Sequence, residues 1–205
     1  LSPVEKAPGL FEGVAARRRK RFAYRLRVTQ DGDTWVADDP YRFGPVIGEL
    51  DEYLLGEGAH RQLWKALGAH VTDHEGSTGV HFAVWAPNAL RVSVVGDFNV
   101  WDGRRTPMRQ RGVTGVWEIF VPDLTEGHVY KYEVIASDGA LLPHKADPVG
   151  FGSEHPPRTG SVVRDLTRYK WRDAAWMKSR AEVQRVDKPI SIYEVHLGSW
   201  RRVPE

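Results

Sequence analysis

Between Val80 and Val163 the chain alternates short β-branched and aromatic runs with turn residues, a rhythm that few folds accept. Val80 to Ala86, Arg91 to Val95, Gly115 to Val121 and Val129 to Ile135 are rich in β-formers. Pro87-Asn88, Gly96-Asp97, Pro122-Asp123 and Ser137-Asp138-Gly139 punctuate them, and Ser161 to Val163 follows a loop around Pro156-Pro157. Strands at this spacing predict an antiparallel β-sandwich of about a hundred residues. In the fourth run, Tyr130, Tyr132 and Val134 should face the core while Lys131 and Glu133 face out.

The flanks differ in texture. Seven basic residues and no acid lie between Gly13 and Gln30. From Phe22 the pattern alternates, with Phe22, Tyr24, Leu26 and Val28 on one side and Arg21, Ala23, Arg25 and Arg27 on the other, as in a half-buried strand. The basic face reads as a solvated sheet surface; a polyanion strip from Arg17 to Arg27 is the competing reading, without an RNA-binding or base-reading motif to support it. Asp51 to Leu55 and Ala59 to Leu67 read as two short helices stopped by Gly56 and Gly68. Residues 41–70 then form a connector. Residues 166–189 read as a partly helical linker anchored by Trp171 and Trp176, ahead of a strand-like run from Ile190 to Val195.

Composition excludes several classes. With 41% hydrophobic and 27% charged residues the chain is globular rather than disordered. No apolar stretch approaches the ~18 residues of a membrane span, and no signal-peptide pattern opens the sequence. The absence of cysteine removes disulfide, thiolate-metal and cysteine-nucleophile chemistry and fits the cytoplasm. A net charge of +2 does not imply a nucleic-acid partner. The chain starts at Leu1 and stops just after a strand-like run, so it reads as an internal piece of a longer protein.

One loop carries a recognisable chemistry. Gly96-Asp97-Phe98-Asn99-Val100-Trp101-Asp102-Gly103 combines a tight turn, an amide, carboxylates and an indole. A pyranose offers a C–H face that stacks on an aromatic ring and a rim of hydroxyls that needs paired donors and acceptors. Trp101 can supply the platform, Asn99 and Asp102 can read hydroxyls, and Lys131 can donate to a sugar oxygen. Equally, Trp101 can plug the end of the sandwich while Asn99 holds the turn. Both readings stand on the sequence. His70 and His74 have i, i+4 spacing beside Glu75, but Gly68 and Gly76 oppose a helix and no third ligand is evident, so no metal is expected. Asp187 lies in Arg185-Val186-Asp187, followed at once by Lys188-Pro189, which suits a linker and not the end of a barrel strand. Glu194 has no evident carboxylate partner, whereas retaining glycoside cleavage needs two about 5–5.5 Å apart. There is no phosphate fingerprint or nucleophile elbow.

Several phrases, in order, resemble the bacterial glycogen branching enzymes of glycoside hydrolase family 13. They are Asp39-Pro40-Tyr41-Arg42-Phe43-Gly44-Pro45, Leu67-Gly68-Ala69-His70, and Phe82-Ala83-Val84-Trp85-Ala86-Pro87-Asn88-Ala89. Val94-Val95-Gly96-Asp97-Phe98-Asn99, Trp101-Asp102-Gly103-Arg104 and Tyr130-Lys131-Tyr132-Glu133 continue the match. Ser191-Ile192-Tyr193-Glu194-Val195-His196-Leu197-Gly198-Ser199-Trp200-Arg201 ends it. The resemblance implies a mainly β chain. Residues 1–40 are then the remnant of a first β-sandwich domain, and 41–70 a connector. Residues 71–165 are an immunoglobulin-like sandwich, the family-48 carbohydrate-binding module, followed by a linker at 166–189. Residues 190–205 are the start of a truncated (β/α)8 barrel.

The family cleaves α-1,4-glucan, holds the chain on an aspartate and transfers it to a 6-hydroxyl, without an organic cofactor. Its catalytic carboxylates lie on later barrel strands, so the resemblance assigns no catalytic residue here. Related modules that bind glycogen tightly use two tryptophans, a lysine and an asparagine. Trp101 matches the first tryptophan and Lys131 the lysine. The second tryptophan, sought near Gly139 to Leu142, and the asparagine, sought near Gly160 to Val163, are absent. The expectation is a weak α-glucan contact (glycogen, amylose or maltooligosaccharides) on a module that braces the barrel. A purely structural module and a glycogen-targeting regulatory module are the alternatives.

Overall fold

A computed structural model describes residues 1–7, 9–15, 17, 20 and 22–201. The chain divides into two units, Leu1–Leu166 and Thr167–Glu205.

In the first unit, β1 (Ser2–Pro3) pairs with β2 (Phe11–Glu12), and β3 (Leu26–Gln30) forms a hairpin with β4 (Asp33–Ala37). The strand expected from Phe22 therefore begins at Leu26. Residues 22–25 are not strand, and Phe22 packs on Tyr24 with centroids 5.9 Å apart. Leu26 and Val28 are half-buried and Arg27 is exposed, as the alternation predicts. Arg18, Arg19 and Arg21, which belong to the basic strip, lie outside the described residues.

After α1 (Glu49–Gly56), the expected second helix at 59–67 reduces to a single 3-10 turn at Leu63–Lys65. So short a segment gains too few helical bonds to offset nucleation. Gly68 opens a strand, β5 (Gly68–His74), which runs across the boundary expected at residue 70. β6 (Ser77–Trp85), β7 (Ala89–Gly96), β8 (Arg109–Arg111), β9 (Val116–Pro122), β10 (Val129–Ala136) and β11 (Ser161–Val162) complete the unit. Two antiparallel sheets result, ordered β5-β6-β9-β8 and β11-β10-β7.

Period-two alternation builds the core between them. Val80, Phe82 and Val84 of β6 and Trp117, Ile119 and Val121 of β9 meet Val92, Val94, Tyr130 and Tyr132 of β7 and β10. The sandwich is as expected, with the tyrosines inward.

The outer face of the four-stranded sheet is covered by the connector, which is a strap and not a free linker. Asp39 caps the 3-10 turn Pro40–Arg42 by accepting the Tyr41 N–H at 2.9 Å. Arg42 pairs with Asp38, donates to Ser77 Oγ at 2.9 Å and lies 3.8 Å over the Phe43 ring. Phe43 meets Phe120 edge-on at 4.7 Å, and Ile47 and Leu67 bury against Ala83 and Val116. Beneath the strap, Glu118 Oε2 accepts the Val46 and Ile47 amides at 3.1 and 3.0 Å.

The second unit holds α2 (Ala174–Val183) and α3 (Leu197–Trp200). Trp171 and Trp176, expected as anchors, are exposed. The run Ile190–Val195, expected as a barrel strand, has no strand structure, and Ile190, Ile192 and Tyr193 are exposed. A strand exists only as a paired ladder, and among the described residues this run has no partner. Asp187 is held by Arg185 at 2.9 and 3.0 Å. Among the described residues no helix is long and apolar enough to cross a membrane.

Candidate functional site

The three-stranded sheet places Lys131 opposite Val95 and Glu133 opposite Ser93, so Arg91, Lys131 and Glu133 share the face turned away from the core. Lys131 Nζ donates to Thr159 Oγ1 at 2.8 Å, and Arg91 Nη2 donates to Glu133 Oε1 at 2.5 Å.

β7 ends in a turn that returns over this face. Gly96 leads into the 3-10 turn Asp97–Asn99, and Val100 and Trp101 then take the left-handed conformation at φ 59° and 57°. Two consecutive non-glycine residues at positive φ are costly, so the surroundings must hold them. Asn99 does much of this. Its Oδ1 accepts the Gly96 N–H at 3.0 Å, and its Nδ2 donates to Val94 O at 2.9 Å and Thr106 Oγ1 at 2.6 Å. The turn then presses Gly103 onto β10: a Cβ there would sit 2.1 Å from Glu133 Oε1.

The four residues expected at a sugar site therefore separate. Trp101 is half-buried on this face, with its indole N–H donated to Asp97 Oδ1 at 2.7 Å. Lys131 reaches the same face. Asn99 does not: its amide is buried and spent on the turn, where its Oδ1 takes the Gly96 N–H and its Nδ2 joins the Thr106 hydroxyl on Val94 O. Asp102 is turned to Arg104, which it binds at 2.9 and 2.8 Å while accepting the Arg104 backbone N–H at 3.0 Å. The Arg104 side-chain bonds, then that N–H, hold its carboxyl well below the usual carboxylate range.

A residue that the sequence reading missed joins the face. His144 lies nearly parallel to Trp101, at 19° with centroids 6.2 Å apart, and its Nε2 is 3.8 Å from Glu133 Oε2. Residues 140–145 run along β10: the Ala136 amide donates to Ala140 O, the Leu142 amide to Val134 O, and Lys145 and Tyr132 exchange both backbone bonds. That pairing carries residue 144, rather than 139–142, to the indole. Asp147 fastens the segment from inside by accepting the phenols of Tyr130 and Tyr132 at 2.7 and 3.1 Å. Burial raises the Asp147 carboxyl and both phenols above their ordinary values.

His70 and His74 lie on β5, each with its Nε2 on a backbone carbonyl, and among the described residues neither joins a cluster of three or more possible metal ligands. His70 Nε2 is 3.0 Å from Leu67 O and His74 Nε2 is 3.1 Å from Gly44 O, which requires the N–H tautomer at each. Two shallow apolar grooves adjoin the end of β6: one of about 250 Å³ between Trp85, Tyr132, Lys145 and Pro148, the other of about 290 Å³ between Pro87, Val134 and Leu142, and neither is lined by Trp101 or Lys131.

Residues 66–150 match the family of carbohydrate-binding module 48, the isoamylase N-terminal domain. The chain is 74% identical over 98% of its length to a 1,4-alpha-glucan branching enzyme GlgB of Roseobacter denitrificans, of which it covers 27%. It is 58% identical over 98% of its length to that of Cereibacter sphaeroides, covering 28%, and 56% identical over 98% to that of Pseudomonas aeruginosa, covering 27%. The chain thus spans about a quarter of the length of these curated relatives. Nearly the whole chain is thus similar to a part of the bacterial 1,4-α-glucan branching enzymes, and residues 66–150 match the family-48 carbohydrate-binding module.

Proposed function

We propose that this chain is a non-catalytic portion of a 1,4-α-glucan branching enzyme, one that makes α-1,6 branches by transferring cleaved α-1,4-glucan chains. The observation that carries the reading is 74% identity across 98% of the chain to an enzyme of that name. Residues 1–40 are the remnant of a first sandwich domain, and 190–205 open a catalytic barrel that the module braces. The exposure of Ile190, Ile192, Tyr193 and Leu197 supports a missing intramolecular partner for that last segment. The protein works in the cytoplasm, as a cysteine-free chain suits.

The module contributes a weak α-glucan contact with Trp101 as platform and Lys131 as donor. Isothermal titration with maltoheptaose tests this: saturable binding, abolished in Trp101→Ala, is expected, and no binding to the wild-type chain refutes it. A branching assay on amylose tests the rest, with no new α-1,6 linkages expected from these 205 residues. The burial of Asn99 favours a second reading, in which the turn is purely architectural and the module only braces the barrel. Absent sugar binding together with a stable fold would select it.

A further inference from the structure

Ring contact and titratable charge meet at one point of the outer face. Trp101 and His144 run nearly parallel, and the His144 Nε2 lies 3.8 Å from the Glu133 carboxylate. Glu133 is the charged group facing the imidazole, and each element that meets at this face carries others. Glu133 and Lys131 belong to β10, and Arg91 of β7 reaches the site through Glu133. Asp97, Asp102, Arg104 and Arg105 belong to the turn that carries Trp101, and Lys145 adjoins His144 in its own segment. Carboxylates, amines and guanidiniums ordinarily keep one charge state between about pH 5 and 8, whereas an imidazole changes its own there.

We propose that His144 makes α-glucan contact at this face pH-dependent, extending the Trp101 platform when neutral and withdrawing from it when protonated. This rests on the reading of the Trp101 face as an α-glucan contact. The face of a neutral ring is electron-rich and attracts the C–H groups of a pyranose. An imidazolium repels those groups and holds water that a sugar must displace. The proton also gives Glu133 a partner: closing 3.8 Å to the ~2.8 Å of a charge-assisted bond draws the ring toward β10. Both routes lower affinity on acidification.

The test is calorimetric titration of the 205-residue chain with maltoheptaose near pH 7.5 and near pH 5.5, for wild type, His144→Phe and Trp101→Ala. Wild-type affinity is expected to fall about three- to tenfold at the lower pH, and that of His144→Phe by less than about twofold. Wild-type binding that is equal at both pH values and lost in Trp101→Ala overturns the pH control alone. A pH-dependent fall that persists in His144→Phe also overturns it. No wild-type binding at either pH overturns the α-glucan reading and the pH control with it. The His144 ring protons give a second readout by nuclear magnetic resonance. Because a ligand that prefers neutral imidazole must hold it neutral to lower pH, added maltoheptaose should shift the titration downward. A titration unmoved by saturating sugar refutes the proposal.

Discussion

His81 Nε2 lies 2.9 Å from Glu118 Oε2 beneath the strap, and both side chains are buried. Glu118 is thereby the fastening of the strap: one oxygen takes the imidazole and the Val46 and Ile47 amides, while the other faces Arg111 Nε at 3.2 Å. Glu118→Ala leaves His81 and two amides without their acceptor and removes the carboxylate that faces Arg111 Nε, although Arg111 keeps Glu52 at 2.7 Å. A loss of about 3–5 kcal/mol is expected from urea unfolding, as for other broken buried ion pairs. Hydrogen exchange should quicken at Val46 and Ile47.

The same carboxylate gives stability a pH dependence. Burial pushes the Glu118 carboxyl up, but the His81 bond and the Ile47 and Val46 amides outweigh it and hold the group below its ordinary value. A depressed acid contributes stability that is complete above the unfolded value of about 4.3 and is lost as pH falls through the lower folded value. Urea midpoints should therefore decline with acidification below about pH 4.3, and the decline should be shallower in Glu118→Gln.

Asn99 tests the architecture of the turn on which the Trp101 contact depends. Asn99→Ala strands the Gly96 N–H and removes a donor from Val94 O and Thr106 Oγ1, all buried. About 2–3 kcal/mol should be lost in thermal or urea unfolding. Maltoheptaose affinity should also weaken, because the left-handed pair Val100-Trp101 loses its support.

Tyr130→Phe deletes one of the two phenols that hold Asp147. Tyr132 still donates, so the expected loss is about 1–2 kcal/mol. Its signature is local: the Lys145 amide, bonded to Tyr132 O at 2.8 Å, should exchange faster than amides of β6 and β9.

Much of the sandwich is legible from residue order, since a strand buried on one face must alternate. Tyr130 and Tyr132 turn inward and Lys131 outward for that reason alone. The stretches that misled are those whose structure depends on a partner. Gly68 to His74 carries polar residues at 70, 72, 73 and 74, so its pattern does not announce a strand, yet β6 pairs with it from His74 to Gly68. Ile190 to Val195 is the converse, a strand-like pattern to which no described residue brings a ladder.

At the site, the sequence alone determined that a turn-forming asparagine, an indole and a lysine stand at positions 99, 101 and 131, because residue type and order are local facts. Only the tertiary structure decided what each side chain is free to do. Asn99 is consumed because its buried amide is hydrogen-bonded to the Gly96 N–H, Val94 O and Thr106 Oγ1 and has no group left for a ligand. His144 becomes the neighbour of Trp101 because residues 140–145 pair along β10, a register set by hydrogen bonds between segments and invisible in either segment by itself.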